Sequence, residues 1–228
     1  MRCGLYGKLP SRRDFVAIGT PRALLDVWEP WMQSGIAASR HSLGDDWKQA
    51  FLTAPIWRFW LGAELCGTTV LGAFMPSLDG VGRYFPLTLF ACPDERAAFP
   101  PPELDPQDAW FTEAEEFLLA TLEQDATFES VTAGLERIVA PSDDNPVPRR
   151  DDTIALQGAM TAQVDQRALP KVFASLRLAD HANVYAGATF WWTIGGDGFE
   201  PLAMSARRMP GPSRFAEMLT GRYAFGFD

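Results

Sequence analysis

The segment Met75-Pro76-Ser77-Leu78-Asp79-Gly80-Val81-Gly82-Arg83-Tyr84-Phe85-Pro86 concentrates the residue types that do chemistry. Pro76 and Pro86 fix the backbone on either side of a turn containing Gly80 and Gly82, which predicts a loop of definite shape. That loop presents Ser77, Asp79 and Arg83 together near a strand end. As a hydrolase, it would use Ser77 as nucleophile and Asp79 as orienter. The arrangement needs a base, and His41 and His181, the two histidines of the chain, lie far away in sequence. The Gly-x-Ser-x-Gly elbow is also missing. The preferred reading pairs Asp79 with Arg83 to hold the loop, since ion pairs between such neighbours are mostly structural.

Other chemistries find less support. Gly80-Val81-Gly82 is followed by Arg83-Tyr84, entering a strand, whereas nucleotide loops need GxxxxGK followed by Ser or Thr, or GxGxxG opening a helix. Cys3, Cys66 and Cys92 have no CxxC spacing and sit in apolar contexts. They are expected to be buried thiols, with no metal and no cofactor. The carboxylate pairs Asp143-Asp144 and Asp151-Asp152 fall in polar stretches, where solvated charge is the default.

Aromatic rings are the other resource. In Ala54-Pro55-Ile56-Trp57-Arg58-Phe59-Trp60 the alternation turns Trp57 and Phe59 to one side and Ile56, Arg58 and Trp60 to the other. One face must be core. The other carries a guanidinium beside a tryptophan, which suits a protein contact or stacking between strands. Phe190-Trp191-Trp192 repeats the theme.

Composition excludes some partners. The chain has 228 residues, 47% of them hydrophobic, and 20 basic against 29 acidic residues leave a net charge of −9. Nucleic acid and anionic membrane surfaces are disfavoured, because their phosphates need clustered Lys and Arg. Met1 to Leu9 holds no long apolar region and no stretch of 18 apolar residues follows, which predicts a cytoplasmic protein without membrane insertion.

The elements that position these residues follow from periodicity. Cys3–Leu9 predicts a buried first strand. Residues 21–42 predict a helix with Thr20 as N-cap, Pro21 at its first position, and Pro30 kinking or splitting it. A short helix over 45–53 follows, with Trp47, Ala50 and Phe51 inside. Strands are expected over Ile56–Leu65, Thr68–Met75 and Tyr84–Cys92, as an antiparallel meander with Cys66-Gly67 as a tight turn. Residues 99–107 predict a linker or exposed loop. Helices over 108–123 and 128–140 come next, the second capped by Thr127, and then a polar break over 141–152. A strand at 153–159, a helix at 171–180, strands at 188–194 and 202–206, and a helix at 213–220 complete the order. The fold class is α+β, a mostly antiparallel central sheet with helices on its faces, in one unit spanning 1–228.

Several motifs in order resemble the TagF family of type VI secretion-associated proteins. They are Gly4-Leu5-Tyr6-Gly7-Lys8-Leu9-Pro10 with Arg13-Asp14-Phe15-Val16, then Trp28-Glu29-Pro30-Trp31-Met32, Ala54 to Phe59, Met75 to Leu87, and Phe190-Trp191-Trp192. Arg13 stands where that family has glycine, Glu29 where it has aspartate, and Pro30 is a further departure. The resemblance implies a post-translational repressor of type VI secretion with no active site. Its implied partner is the forkhead-associated scaffold protein of that system, within a threonine phosphorylation pathway. The expected partner surface is the loop with Pro76, Ser77, Asp79, Gly82, Arg83, Tyr84 and Phe85, joined by Trp57 and Arg58. A small hydrolase using Ser77 and Asp79 and a structural adaptor of the apparatus are the alternative readings.

Overall fold

The computed structural model describes residues 2–94, 97–141, 154–156, 159–163 and 168–223. Apolar runs in the centre and alternating patterns in β8 and β9 build a seven-stranded antiparallel sheet, in the order β2-β1-β5-β4-β3-β8-β9. Its strands are β1 (Arg2–Gly7), β2 (Val16–Ile18), β3 (Trp57–Leu61), β4 (Val70–Met75), β5 (Leu87–Cys92), β8 (Ala188–Thr193) and β9 (Leu202–Arg207). Two further strands, β6 (Ile154–Leu156) and β7 (Ala159–Thr161), pair as a separate hairpin. The predicted meander is β3-β4-β5, and β8 joins it by pairing Arg58 with Trp192 and Trp60 with Phe190. The expected α+β class is therefore observed.

Both faces of the sheet are covered. On one lie α1 (Arg22–Leu43), α2 (Trp47–Thr53) and α8 (Arg214–Thr220), packed over Trp57, Phe59, Phe74, Phe90 and Trp191. On the other, α4 (Asp108–Ala120) and α5 (Phe128–Arg137) pack over Leu5, Trp60, Leu71, Leu87 and Leu89. Strands buried on both faces read as near-continuous apolar runs, as in Leu87–Cys92. Short helices α3 (Ala63–Cys66) and α7 (His181–Val184), and the longer α6 (Leu169–Ala179), complete the set among the described residues.

Some expectations are corrected. Helix α1 is not split at Pro30 but runs through it as one element, Arg22–Leu43. Trp28 and Trp31 flank the proline and are both buried, and their indole N–H groups donate to Thr88 Oγ1 (3.2 Å) and to the Pro210 carbonyl (2.8 Å). Tertiary anchoring on both sides of Pro30 offsets a lost helix bond worth about 3 kcal/mol. Pro21, not Thr20, occupies the N-cap position, and the Thr20 hydroxyl bonds the Leu5 and Ile18 carbonyls instead. The strand expected over Ile56–Leu65 stops at Leu61, because α3 fills the connection and Gly67 caps it in the left-handed region.

Residues 99–107 are not an exposed linker. Phe99 is fully buried, its N–H donates to Thr69 Oγ1 (2.8 Å), and its carbonyl accepts from Trp60 Nε1 (3.0 Å). Beyond it the chain turns, the Leu104 and Asp105 N–H groups donating to the Pro101 carbonyl (2.9 and 3.2 Å), so that the stretch forms a folded strap anchored on the sheet through Phe99. Thr127 does cap α5, in a reciprocal capping box with Ser130. Of the polar break over 141–152, all but Pro141 lies outside the described residues, as do Phe225 and Phe227.

Candidate functional site

The loop between β4 and β5 is a small hairpin closed by a bridge between Leu78 and Tyr84. The Phe85 N–H donates to the Ser77 carbonyl (3.0 Å) and the Asp79 N–H to the Arg83 carbonyl (3.1 Å). Gly82 turns the chain at φ 81°, a conformation that favours glycine. Inside this turn the Asp79 side chain is fully buried. Its Oδ1 accepts from the Val81 N–H (3.1 Å) and the Arg83 N–H (2.9 Å), mimicking a backbone turn. Its Oδ2 accepts from Arg83 Nε at 2.7 Å and from Lys8 Nζ at 2.5 Å.

Lys8 arrives from the end of β1, which runs antiparallel beside β5. Gly7, at φ 138°, lets the two chains meet: a Cβ there would stand 2.1 Å from the Pro86 carbonyl oxygen. Beyond it, three contacts fasten the loop at 8–15 to the hairpin. The Ser77 hydroxyl donates to the Lys8 carbonyl (2.7 Å), the Gly80 N–H to the Arg12 carbonyl (2.7 Å), and Arg83 Nη2 to the Arg13 carbonyl. Burial pushes the Asp79 carboxyl up. The Lys8 ammonium, the Arg83 N–H and guanidinium and the Val81 N–H outweigh it and hold Asp79 well below the usual carboxylate range.

The outer surface of the joined loops is mixed in character. The Phe15 ring stacks on Tyr6 (5.8 Å) and meets Phe85 edge-on (4.8 Å), with Lys8 Nζ 5.1 Å from its centre, yet Phe15 remains 47% exposed. Burial and Glu29 push the Tyr6 hydroxyl up to about 12, so Tyr6 stays neutral in this cluster. Val81 at the hairpin tip is exposed, and so are Arg12, Arg13 and Arg83. The Arg12 guanidinium stacks 4.2 Å from the Phe128 ring centre, across a cleft of about 560 Å³ lined by residues 11–18 and Phe128.

The predicted residues divide by exposure. Gly82 and Arg83 face solvent, Pro76 and Tyr84 are half-buried, and Ser77, Asp79 and Phe85 are buried. Tyr84 packs edge-on against Trp47 (5.6 Å) and Phe51 (5.7 Å). Trp57 and Arg58 lie in a central strand away from this surface, with 1% and 6% exposure. Trp57 Nε1 donates to the Met218 carbonyl (2.9 Å), and Arg58 Nε to Glu115 Oε1 (2.6 Å). Both are occupied inside the protein, because helices cover both faces of β3. The Asp79–Arg83 pair is present as expected.

Sequence reasoning missed Lys8, together with the outward pair Arg12 and Phe15. A signal for Lys8 existed: a lysine between Gly7 and Leu9 in a buried strand needs a counterion. Its partner stands 71 residues away, beyond the reach of local patterns.

Among the described residues no group of His, Cys, Asp and Glu is placed to hold a metal, and no helix is long and apolar enough to cross a membrane. Burial pushes the Cys3 and Cys92 thiols up to about 11 and about 12.

Known proteins place the same features in context. No curated protein matches the chain. The solved structure of PA0076 from Pseudomonas aeruginosa PAO1 is similar, with 33% identity and a TM-score of 0.76 over 97% of this chain and 95% of that one. Residues 4–138 match the model of the TagF N-terminal domain, described as type VI secretion system-associated. This stretch contains both loops of the Lys8–Asp79 junction, most of β1, and the whole of β2 to β5. With more than half its length matched, the chain belongs to the TagF family of type VI secretion-associated proteins.

Proposed function

We propose that this chain is a cytoplasmic, post-translational repressor of type VI secretion that binds the forkhead-associated scaffold of the system and performs no catalysis. One observation carries the binding reading: the reactive-looking groups of the 75–86 loop are spent on fastening it to the 8–15 loop. The Ser77 hydroxyl is buried on the Lys8 carbonyl, and both Asp79 oxygens are occupied. A nucleophile needs its oxygen facing substrate and a base within hydrogen-bond reach. What the two loops hold out to solvent is instead a rigid arrangement of Phe15, Val81, Gly82 and Arg83, and rigid surfaces lose little entropy on binding. Family membership supports the link to type VI secretion.

The test is capture of the purified scaffold protein by wild type, Arg83→Ala and Asp79→Ala chains, with folding checked by circular dichroism. Loss of capture in folded Arg83→Ala is expected. Full retention by both folded variants would remove the loop from the interface. In cells, deleting the gene should raise secretion; abolished secretion would favour a structural adaptor.

A further inference from the structure

The chain carries a surplus of acid, yet the 8–15 loop and the neighbouring hairpin gather basic groups. Lys8, Arg12, Arg13 and Arg83 stand there against Asp14 and Asp79. Asp79 is already neutralised inside by Lys8 and Arg83. The Arg12 guanidinium lies over Phe128, 4.2 Å from the ring centre, and both residues line the cleft. Arg83 spends Nε on Asp79 and Nη2 on the Arg13 carbonyl, and its side chain stays 59% exposed. The Arg13 side chain has no hydrogen bond or ion pair among the described residues. Beside these cations stand Phe15, 47% exposed and held between Tyr6 and Phe85, and Val81, 55% exposed.

We infer that this cleft takes an acidic segment of a partner protein, with carboxylates on Arg12 and Arg13 in the cleft and on Arg83 beside it, and one apolar side chain against Phe15. The inference rests on the reading of these loops as a docking surface and specifies the chemistry of what docks. Charge complementarity selects this occupant. A net charge of −9 repels an acidic segment over the molecule as a whole, so a local basic site fixes where and in which register it lands. Guanidinium forks bind carboxylates in a defined plane. A pre-packed aromatic ring supplies contact area without an ordering cost. The cleft, about 560 Å³, has the size of sites that take a few side chains.

The experiment uses the full chain and a fluorescein-labelled peptide of alternating Glu and Asp around a central Leu. The same peptide with Lys for every acid is the control, and the readout is anisotropy at low and high salt. The acidic peptide is expected to bind, weaken as salt rises, and lose roughly tenfold in affinity in Arg13→Glu and in Arg12→Gln. Arg13→Glu touches no internal contact, so its thermal midpoint should match wild type. Exchanging Leu for Ser should weaken binding several-fold. Equal binding of the basic peptide, indifference to Arg13→Glu, or binding to phosphatidylserine vesicles with none to the peptide overturns the inference. Scaffold capture by the same variants separates the two readings. Wild-type capture that survives Arg12→Gln/Arg13→Glu removes the acidic cleft and leaves the proposed function standing. Peptide binding at the cleft without scaffold capture by wild type does the reverse.

Discussion

Lys8 Nζ lies 2.5 Å from Asp79 Oδ2, with 6% and 0% of the two side chains exposed, across 71 residues of sequence. The pair joins a strand end to a hairpin, adding a buried charge contact to the backbone bonds that already fasten the two loops. Two charges out of water are tolerated only when their remaining hydrogen-bonding capacity is met. Here Asp79 accepts four bonds, two from backbone N–H groups and two from cations. The most chemical-looking loop of the sequence is thus a joint, whose Ser77 and Asp79 side chains are spent on internal bonds.

Breaking the joint from its buried side should therefore cost far more than from its exposed side. Asp79→Ala leaves Lys8 buried without a counterion and is expected to lose about 3–5 kcal/mol. Arg83→Ala removes a partner that is 59% exposed and should lose about 1 kcal/mol or less. The double variant Lys8→Met/Asp79→Leu should recover part of the larger loss, since neither charge is then stranded. Urea unfolding at neutral pH measures all three, and equal costs for Asp79→Ala and Arg83→Ala would contradict the burial argument.

The same carboxylate sets a pH dependence. Asp79 is held below the range of an unfolded aspartate, near 3.9, so in acid the unfolded chain binds a proton that the native chain refuses. Stability then rises with pH in that window. The contribution is complete above about pH 5 and is lost as pH falls through the unfolded value toward the lower native one. Urea midpoints for wild type should fall more steeply between about pH 5 and 2 than those of Asp79→Asn, whose side chain does not titrate. Parallel curves would remove Asp79 as the source.

Much of this arrangement was legible in the residues, for reasons that also mark where legibility ends. The β3-β4-β5 meander follows from three apolar runs in succession, with connections shorter than the roughly dozen residues a parallel crossover needs, and the Thr127 cap from its place before an amphipathic run. The Asp79–Arg83 pair is four residues apart and needs no fold to predict. Pro30 and the strap at 99–107 misled because local proline rules say nothing of Trp28, Trp31 and Phe99, whose burial decides both conformations. Trp57 and Arg58 misled because alternation reveals two faces but not that helices cover both. Lys8 needed the β1–β5 register, a long-range pairing that no local window contains.

Close backbone approach makes a sharper contrast between two glycines of the site. Gly7→Ala places a Cβ 2.1 Å from the Pro86 carbonyl oxygen at φ 138°, where β1 and the hairpin exit meet. Gly82→Ala, at φ 81°, meets nothing within 4 Å. The second change should cost about 1–2 kcal/mol, for the left-handed conformation alone. The first adds a backbone collision and should cost more than about 3 kcal/mol or prevent folding. Thermal melts of the two variants check the order, and a Gly7→Ala chain as stable as Gly82→Ala would contradict the close approach.

Arg58 offers the counterpart on the opposite side of the molecule. Its Nε bonds Glu115 Oε1 at 2.6 Å, its guanidinium lies 5.3 Å from the Phe111 ring centre, and its stem runs between β3 and α4. Asp108, 3.7 Å from Nη1, is 75% exposed. Glu115→Ala strands a buried cation and should cost about 3–5 kcal/mol, while Asp108→Ala should change stability by less than about 1 kcal/mol. Arg58→Met keeps the apolar stem against Phe111, removes the charge, and leaves Glu115 12% exposed, so its cost should fall between the two. Because Arg58 is enclosed, folded Arg58→Met should capture the scaffold as wild type does. A folded variant with intact thermal midpoint but no capture would return Arg58 to the contact surface and overturn its assignment as the residue that fastens α4 to the sheet.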